Sequence, residues 1–189
     1  MSEEQKAIEQ LKQGHIKGLE ILVQLHQLRA LRTAYVITKS REMAEDVVAD
    51  AFLTVYDHIG QYDPNRPFRP WFYRIVVNGA IKAIRKASRK RTGGVVVQEL
   101  EQQSDIEPGP EEKVLLGEMR KILDIAVQTL PPKQRATLVL RYYLQMGESE
   151  IAQALGCPLG TVKWRLYTAR MKLRRVLVKA PDFFLFENL

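Results

Sequence analysis

Residues 150–178 read EIAQALGCPLGTVKWRLYTARMKLRRVLV, and this stretch decides the fold. The spacing of its apolar residues predicts a short helix over 150–155, ended by Gly156, and a longer basic helix over about 161–178. Residues 157–160, which include a proline and a glycine, form the turn between them. A short helix, a glycine-bearing turn and a longer basic helix are typical of a helix-turn-helix motif.

The residues before this motif also favour helices. Val114–Leu130 and about Pro132–Leu144 show helical spacing, with Pro131 and Pro132 separating the two. Strand-like alternation is nearly absent from residues 1–91, where Ser2 and Gln5 fit a capping box and glycines 14 and 18 fit breaks between helices. The clearest apolar stripe there comprises Ala44, Val47, Val48, Ala51, Phe52, Val55 and Ile59. A helix with a basic outer face follows, with apolar positions Trp71, Ile75, Val76, Ala80, Ile81 and Ile84.

Charge divides the chain into blocks. The whole chain of 189 residues carries a formal charge of +7. Residues 66–92 hold nine basic and no acidic residues, 93–112 hold six acidic and no basic residues, and 113–180 are again strongly basic. Because a solvated helix face normally mixes charges of both signs, an acid-free block of this length favours nucleic-acid contact.

The acidic block has the composition of a linker, with glycines at its start and Pro108-Gly109-Pro110 near its end. We therefore predict an all-α protein with two small helical domains joined by a flexible acidic linker: a helical bundle at residues 1–91, the linker at 92–112, a helix-turn-helix domain at 113–180 and a tail at 181–189. The alternative is a single domain with one long surface loop, although loops of this length are uncommon in compact folds. The tail contains the aromatic run Asp182-Phe183-Phe184-Leu185-Phe186, which we expect to dock intramolecularly.

The second helix of the motif carries side chains suited to the major groove. Lysine and arginine can donate to guanine, and threonine or an aromatic ring can contact the methyl group of thymine. The candidate contacts are Thr161, Lys163, Trp164, Arg165, Tyr167, Thr168 and Arg170. Lys172, Arg174 and Arg175 are better placed for phosphates, which add affinity with little sequence discrimination.

The first basic block has a different character, because it interleaves cations with aromatic residues. Such surfaces suit single strands, since cations follow phosphates and rings stack on unpaired bases. Asn78 lies one helical turn beyond Arg74, and its amide can both donate to and accept from an unpaired base edge. The candidate contacts are Phe68, Arg69, Trp71, Tyr73, Arg74, Asn78, Lys82 and Arg85, whereas Phe72 is expected to be core. A duplex-reading surface and a single-strand surface in one chain indicate promoter recognition with local opening.

Four stretches in order resemble a known family: AEDVVADAFL at residues 44–53, FRPWFYRIVVN at 68–78, LPPKQR at 130–135 and EIAQALGCPLGTVK at 150–163. Together they resemble the bacterial extracytoplasmic-function sigma factors, the smallest specificity subunits of RNA polymerase, over about residues 5–178. Trp164 departs from the family, which usually has a small residue at that position.

The resemblance implies a function and a set of partners. It implies a non-catalytic subunit that binds core RNA polymerase through its β and β′ subunits and directs it to promoter DNA. The first stretch resembles the polymerase-binding helix, which implies that Glu45, Asp46, Asp50 and Phe52 contact the polymerase. The second stretch resembles the part that reads the −10 element, with Asn78 at the family's base-reading position. The third and fourth stretches resemble the domain that binds the −35 element. An anti-sigma factor as partner is also implied.

Two other classes of protein remain open on the residues alone. A stand-alone helix-turn-helix regulator would bind duplex DNA without polymerase, but it has little use for the Arg66–Asn78 block. A recombinase or nuclease needs a nucleophile or metal-binding carboxylates beside its basic surface, and no such group is visible.

His15, His26 and His58 lack metal-ligand spacing, so no metal, cofactor or catalytic residue is expected. No stretch has the roughly 18 uncharged apolar residues of a membrane helix, and the single cysteine, Cys157, excludes a disulfide framework. We therefore expect a cytoplasmic protein without membrane insertion.

Overall fold

A computed structural model of the protein describes residues 2–90 and 123–178, and all regular structure in these residues is helical. The first group contains α1 (Glu3–Lys12), α2 (Lys17–Thr38), α3 (Arg41–His58) and α4 (Phe68–Lys90). A 3₁₀ turn at Ile59–Gln61 follows α3. The second group contains helical residues 123–128, α5 (Pro132–Leu138), α6 (Glu148–Leu155) and α7 (Leu159–Leu177). The all-α prediction with two helical regions is confirmed.

The first helix is fixed at both ends by local chemistry. The Ser2 hydroxyl accepts from the Gln5 N–H and the Gln5 amide oxygen accepts from the Ser2 N–H, which confirms the capping box. Helix α1 ends before Gly14, which has a positive φ of 85°. Gly18, by contrast, does not break a helix: it lies in the first turn of α2, where α1 packs directly against its backbone. A glycine is needed there because the backbone of α1 lies too close to α2 to leave room for a side chain.

Helices α2, α3 and α4 pack against one another and bury the predicted stripe of α3, from Ala44 to Ile59. An aromatic cluster joins them near the start of α4. The Phe72 ring lies 5.0 Å from that of Phe52 and 5.7 Å from that of Phe68, between ring centroids. The His26 ring of α2 lies 5.5 Å from Phe72. This packing buries one side of α4 and leaves its other side to solvent.

The helix-turn-helix motif is present, with shifted helix starts. Gly156 ends α6 in the left-handed conformation, as expected, but α6 begins at Glu148 and α7 begins at Leu159. Val162, Leu166 and Ala169 of α7 are buried, and Leu173 and Leu177 are partly buried. The predicted helix after Pro131 is also found, although its second half, Val139–Tyr143, is a π-helix.

The two helical groups are in contact. Helix α4 packs against α6, and α2 packs against α5, so buried residues of both groups belong to one continuous cluster. The sequence had suggested two groups separated by a linker and had not indicated this contact. The linker at 92–112, residues 114–122 of the predicted helix and the tail at 181–189 lie outside the described residues. The domain boundaries therefore stay predictions.

Gly18→Ala should detach or displace α1. A Cβ at this position would lie 2.3 Å from the Ala7 carbonyl oxygen and 2.7 Å from the Leu11 nitrogen, and both are backbone atoms that cannot rotate away. Forcing a methyl group into a packed contact costs typically about 1–3 kcal/mol. Urea unfolding followed by circular dichroism measures this loss. Gly60→Ala is the matched control, because a Cβ there meets no atom within 4 Å; equal midpoints for both variants would contradict the tight contact.

Candidate nucleic-acid interface

The solvent side of α4 is a row of cations interrupted by one amide. Arg74, Asn78, Lys82 and Arg85 follow each other at spacings of four, four and three residues, which places them on one face of the helix. All four are exposed, as is Arg69 in the first turn. We call this set the α4 basic face. It can track a phosphate backbone while presenting one amide to a base edge.

The aromatic residues predicted to accompany these cations are mostly in the core. Phe68 and Tyr73 are only 2% and 1% exposed, so the stacking role expected for them does not match their positions. The reason is the helical phase: Phe68, Phe72 and Tyr73 all fall on the side of α4 that faces α2 and α3. Trp71 alone is partly exposed, and its ring packs 5.3 Å from Tyr62, between centroids. Trp71 is therefore the ring on this helix best placed to meet a base.

Asn78 makes a contact that the sequence did not indicate. Its Nδ2 donates to the carbonyl oxygen of Ala154 in α6, at 3.3 Å. One helix of the second group thus lies beside the amide at the centre of the α4 basic face.

The outer face of α7 exposes four of the seven residues predicted to contact duplex DNA. Trp164 and Tyr167 are 60% and 59% exposed, and Lys163 and Arg170 are also exposed. These side chains do not contribute to the buried stripe, so Trp164 is on the surface and not in the core. We call this set the α7 outer face. Cations and two large rings on one helix face match the chemistry of major-groove edges.

The other three predicted residues of α7 are half-buried, and two of them form contacts with other residues of the second helical group. The Thr168 hydroxyl bonds to the Trp164 carbonyl at 2.9 Å and accepts from the Gln134 amide at 3.1 Å. Arg165 Nη1 lies 3.5 Å from the Cys157 sulfur. Thr161 is half-buried at the first turn. Gln134, which sequence reasoning did not single out, therefore positions α7 against α5.

The exposed side of α3 combines acids with apolar groups. Glu45, Asp46 and Asp50 are exposed as predicted, but Phe52 is only 7% exposed and packs in the aromatic cluster, so its predicted contact with polymerase does not match its position. Leu53 and Tyr56 are exposed instead. Both fall outside the buried stripe of α3, and this phase in the sequence is the signal that could have identified them. We call Asp46, Asp50, Leu53 and Tyr56 the α3 face.

Glu45 is already paired within its own helix. Arg41 Nε lies 2.8 Å from Glu45 Oε1, and this hydrogen bond, followed by the charge of Glu45, raises the pKa of Arg41. Both side chains are well exposed, so the pair contributes little to stability. Glu45 is thus less available to a partner than Asp46 or Asp50.

The described residues contain no group of three or more metal-ligating side chains. Among the same residues, none of the helices combines the length and apolarity needed to span a bilayer. Cys157 is a free, half-buried thiol.

Two family models match the chain. The model for Sigma-70 region 2 matches residues 22–90, and the model for Sigma-70, region 4 matches residues 120–173. The first match contains the α3 face and the α4 basic face, and the second contains α7.

Curated relatives match nearly the full length. The chain is 30% identical to the ECF RNA polymerase sigma factor SigW of Bacillus subtilis, over 91% of this chain and 95% of the relative. It is 30% identical to the ECF RNA polymerase sigma-E factor of Escherichia coli K12, over 88% and 90%. The fold is similar to that of CnrH in complex with the cytosolic domain of CnrY (TM-score 0.65, 22% identity, 94% of this chain and 99% of that chain). It is also similar to RpoE in complex with the anti-sigma factor NepR from Bartonella quintana (TM-score 0.71, 19% identity, 86% and 98%).

Tyr73→Phe should make the protein more resistant to alkali. Burial raises the pKa of Tyr73 to about 12, and its hydroxyl has no hydrogen-bond partner among the described residues. The neutral phenol is favoured in the folded state, so its contribution to stability is complete below the unfolded pKa of about 10 and is lost as pH rises towards 12. Thermal unfolding at pH 8 and pH 11 measures this: the variant should be equal to or more stable than the native chain at pH 8 and should lose less stability at pH 11. Equal losses in both proteins would contradict it.

Proposed function

This chain belongs to the extracytoplasmic-function sigma factors, which direct RNA polymerase to specific promoters, and we propose that its three exposed faces divide that task. The α4 basic face captures unpaired −10 bases, the α7 outer face reads the −35 duplex, and the α3 face binds core polymerase. The chain supplies recognition and no catalytic group, since phosphodiester bonds are made by the polymerase.

The α4 basic face carries the proposal, because its chemistry suits a melted strand and not a duplex. Asn78 has exposed cations one turn before it and one turn after it, Arg74 and Lys82. The cations bind phosphates, and the amide reads the edge of a base that has left the stack. Trp71, at the start of the same helix, supplies a partly exposed ring for stacking, which is worth about 1–3 kcal/mol per base.

The α7 outer face suits paired DNA. Lys163 can donate to guanine, and Tyr167, one turn further on, can contact a thymine methyl group. Trp164 adds a large exposed ring that lies beside Lys163 in sequence. Since the family usually has a small residue there, Trp164 broadens the contact area of this helix and helps to set its promoter preference.

The α3 face suits a protein partner that is basic with an apolar centre. Asp46 and Asp50 provide negative charge, while Leu53 and Tyr56 provide exposed apolar surface that association can bury. We assign this face to the polymerase, whose β′ coiled coil binds the equivalent helix in the family.

An anti-sigma factor is the second protein partner that we propose. In the solved structure from Bartonella quintana, RpoE is in complex with an anti-sigma factor, and the fold of RpoE matches 86% of this chain. We place the protein in the cytoplasm because both proposed ligands, polymerase and promoter DNA, are there.

The direct test is reconstitution with purified bacterial core polymerase. The chain should co-purify with the polymerase, and the holoenzyme should select a promoter from random double-stranded DNA and make run-off transcripts from it. Binding of the chain alone to a palindromic duplex, without polymerase association, would instead identify a stand-alone regulator.

Asn78→Ala should impair promoter opening more than duplex binding. The variant loses a bidentate base contact worth about 1–3 kcal/mol, while α7 and the α3 face are unchanged. Permanganate reactivity of thymines measures opening on the selected promoter, and fluorescence anisotropy measures binding. Asn65→Ala is the matched control, because it removes an exposed asparagine side chain just before α4 that donates to the neighbouring Asp63. Normal opening by Asn78→Ala would remove the base-capture role.

Lys163→Ala and Lys172→Ala should have different effects on −35 recognition. Loss of a base contact costs about 1–3 kcal/mol and relaxes specificity at one position, whereas loss of a phosphate contact weakens binding to all sequences and reduces the salt slope by about one. Lys163 lies in the N-terminal half of α7 and Lys172 in its C-terminal half, and both are exposed. Holoenzyme selection from −35 libraries and binding at several salt concentrations separate the two effects. Identical profiles for the two variants would contradict the assignment.

A further inference from the structure

Helix α7 has a second row of apolar residues on the side opposite its buried stripe. The four members of this row follow one another at spacings of three, four and seven residues, and all are exposed: Trp164, Tyr167, Met171 and Val178. With about 3.6 residues per turn, they lie within about 60° of one another around the helix axis. We call these four residues the α7 apolar line.

Reading of DNA accounts for the first half of this line only. A recognition helix contacts base edges with its N-terminal residues, and Trp164 and Tyr167 belong to that half. Met171 and Val178 lie further along, beside cations such as Lys172 that suit phosphates, and they are 38% and 43% exposed. Because their side chains cannot donate to a phosphate, the continuation of the line to the end of α7 indicates an apolar partner.

Cations border the line on both sides. Arg170 and Arg174 lie on one side of it, Lys172 and Arg175 lie on the other, and all four are exposed. The sequence of α7 contains no acidic residue. A partner with complementary chemistry therefore has an apolar centre and negative charges at its edges.

The sequence that follows α7 has this chemistry. The tail, residues 181–189, reads PDFFLFENL, so it contains three phenylalanines and two leucines, and its charged side chains are Asp182 and Glu187. Pro181 disfavours the helical conformation of the residue before it, which favours a turn after α7 over a continuation of the helix. An aromatic run between two acids complements an apolar line between cations.

The tail is also long enough to return along α7. Val178 and Trp164 are separated by about 21 Å along the helix axis, at about 1.5 Å per residue. A chain that reverses at Pro181 has eight residues left, which span up to about 26 Å at about 3.3 Å per residue. Since only residues 179 and 180 separate the tail from α7, its effective concentration at the line is high, which favours the tail over a second copy of the chain.

We propose that the tail folds back along the α7 apolar line and competes with duplex DNA for Trp164 and Tyr167. The proposal rests on the −35 role of the α7 outer face. Both occupants use the same two rings, so each excludes the other. The tail lowers the apparent affinity of α7 for every duplex by the fraction of chains in which it is docked. Only sequences that make the full set of −35 contacts then retain enough affinity to be occupied.

Tryptophan fluorescence tests whether the tail covers the line. The chain has two tryptophans, so a Trp71→Phe background leaves Trp164 as the sole reporter. Acrylamide quenching of Trp164 is compared between this full-length chain and a variant that also carries serine in place of the three aromatic residues of the tail, Phe183, Phe184 and Phe186. The quenching constant should rise in the triple variant, because Trp164 loses its cover.

Two further variants separate docking on the line from a general loss of apolar surface. Met171→Ser removes the centre of the line without changing the α7 outer face, and it should raise the quenching constant as the triple variant does. Leu28→Ser is the matched control, because Leu28 is an exposed residue of α2, 55% exposed, and its loss should leave quenching unchanged. The effects should not depend on protein concentration; a dependence would identify a second copy as the occupant and overturn the proposal.

Duplex binding tests the competition. With Trp71 retained, holoenzyme containing the triple variant should bind the selected −35 duplex about three to ten times more tightly than native holoenzyme, which corresponds to a docked fraction of about 70–90%. Fluorescence anisotropy measures this affinity. Unchanged quenching would overturn the docking, and raised quenching with unchanged affinity would overturn the competition. If the native chain does not transcribe with polymerase, the proposed function fails, while quenching of Trp164 still reports whether the tail docks.

Discussion

Helix α4 must be compatible with two environments at once, and the arrangement of the molecule follows from that requirement. Its inner side packs Phe68, Phe72 and Tyr73 against α2 and α3, in an aromatic cluster that includes His26 and Phe52. Its outer side carries cations that face water. Because large rings fill the inner side, α4 cannot rotate about its own axis without exposing them. The outer row is therefore held in a fixed direction, which a surface that recognises particular bases requires.

The sequence predicted the elements well because each depends on local chemistry. The capping box at Ser2, the stripe of α3, Gly156 after α6 and Pro132 at the start of α5 act within one or two helical turns. Individual site residues were harder to predict. Phe68 and Tyr73 were assigned to DNA because of their residue type, and Phe52 was assigned to the polymerase because of the resemblance, but the exposure of all three depends on which side of the helix they occupy. In the run of adjacent aromatic residues at the start of α4, composition does not indicate which ring faces the core. Leu53 and Tyr56 were missed although they fall outside the buried stripe of α3.

The contact between the helical groups lay beyond sequence reasoning for a different reason. The hydrogen bonds that Arg135, Lys39 and Asn78 donate across it end on main-chain carbonyls, those of Ile37, Gln128 and Ala154. Every residue has a carbonyl, so no pattern of side chains indicates which one is used. Only the donors are visible in the sequence, and Arg135 and Lys39 look like ordinary surface cations in a basic protein. The linker charge and glycine content predicted separation of the groups but did not indicate where they meet.

The docking of α1 couples two distant positions of the chain. A side chain at position 18 and a helix at 3–12 exclude each other, since the backbone of α1 occupies the site of the missing Cβ. A homologue without the first helix is free to carry any residue at this position, and such a residue would in turn prevent the helix from being regained by simple extension of the N-terminus. Gly18 and helix α1 should therefore be kept or lost together among descendants of this gene.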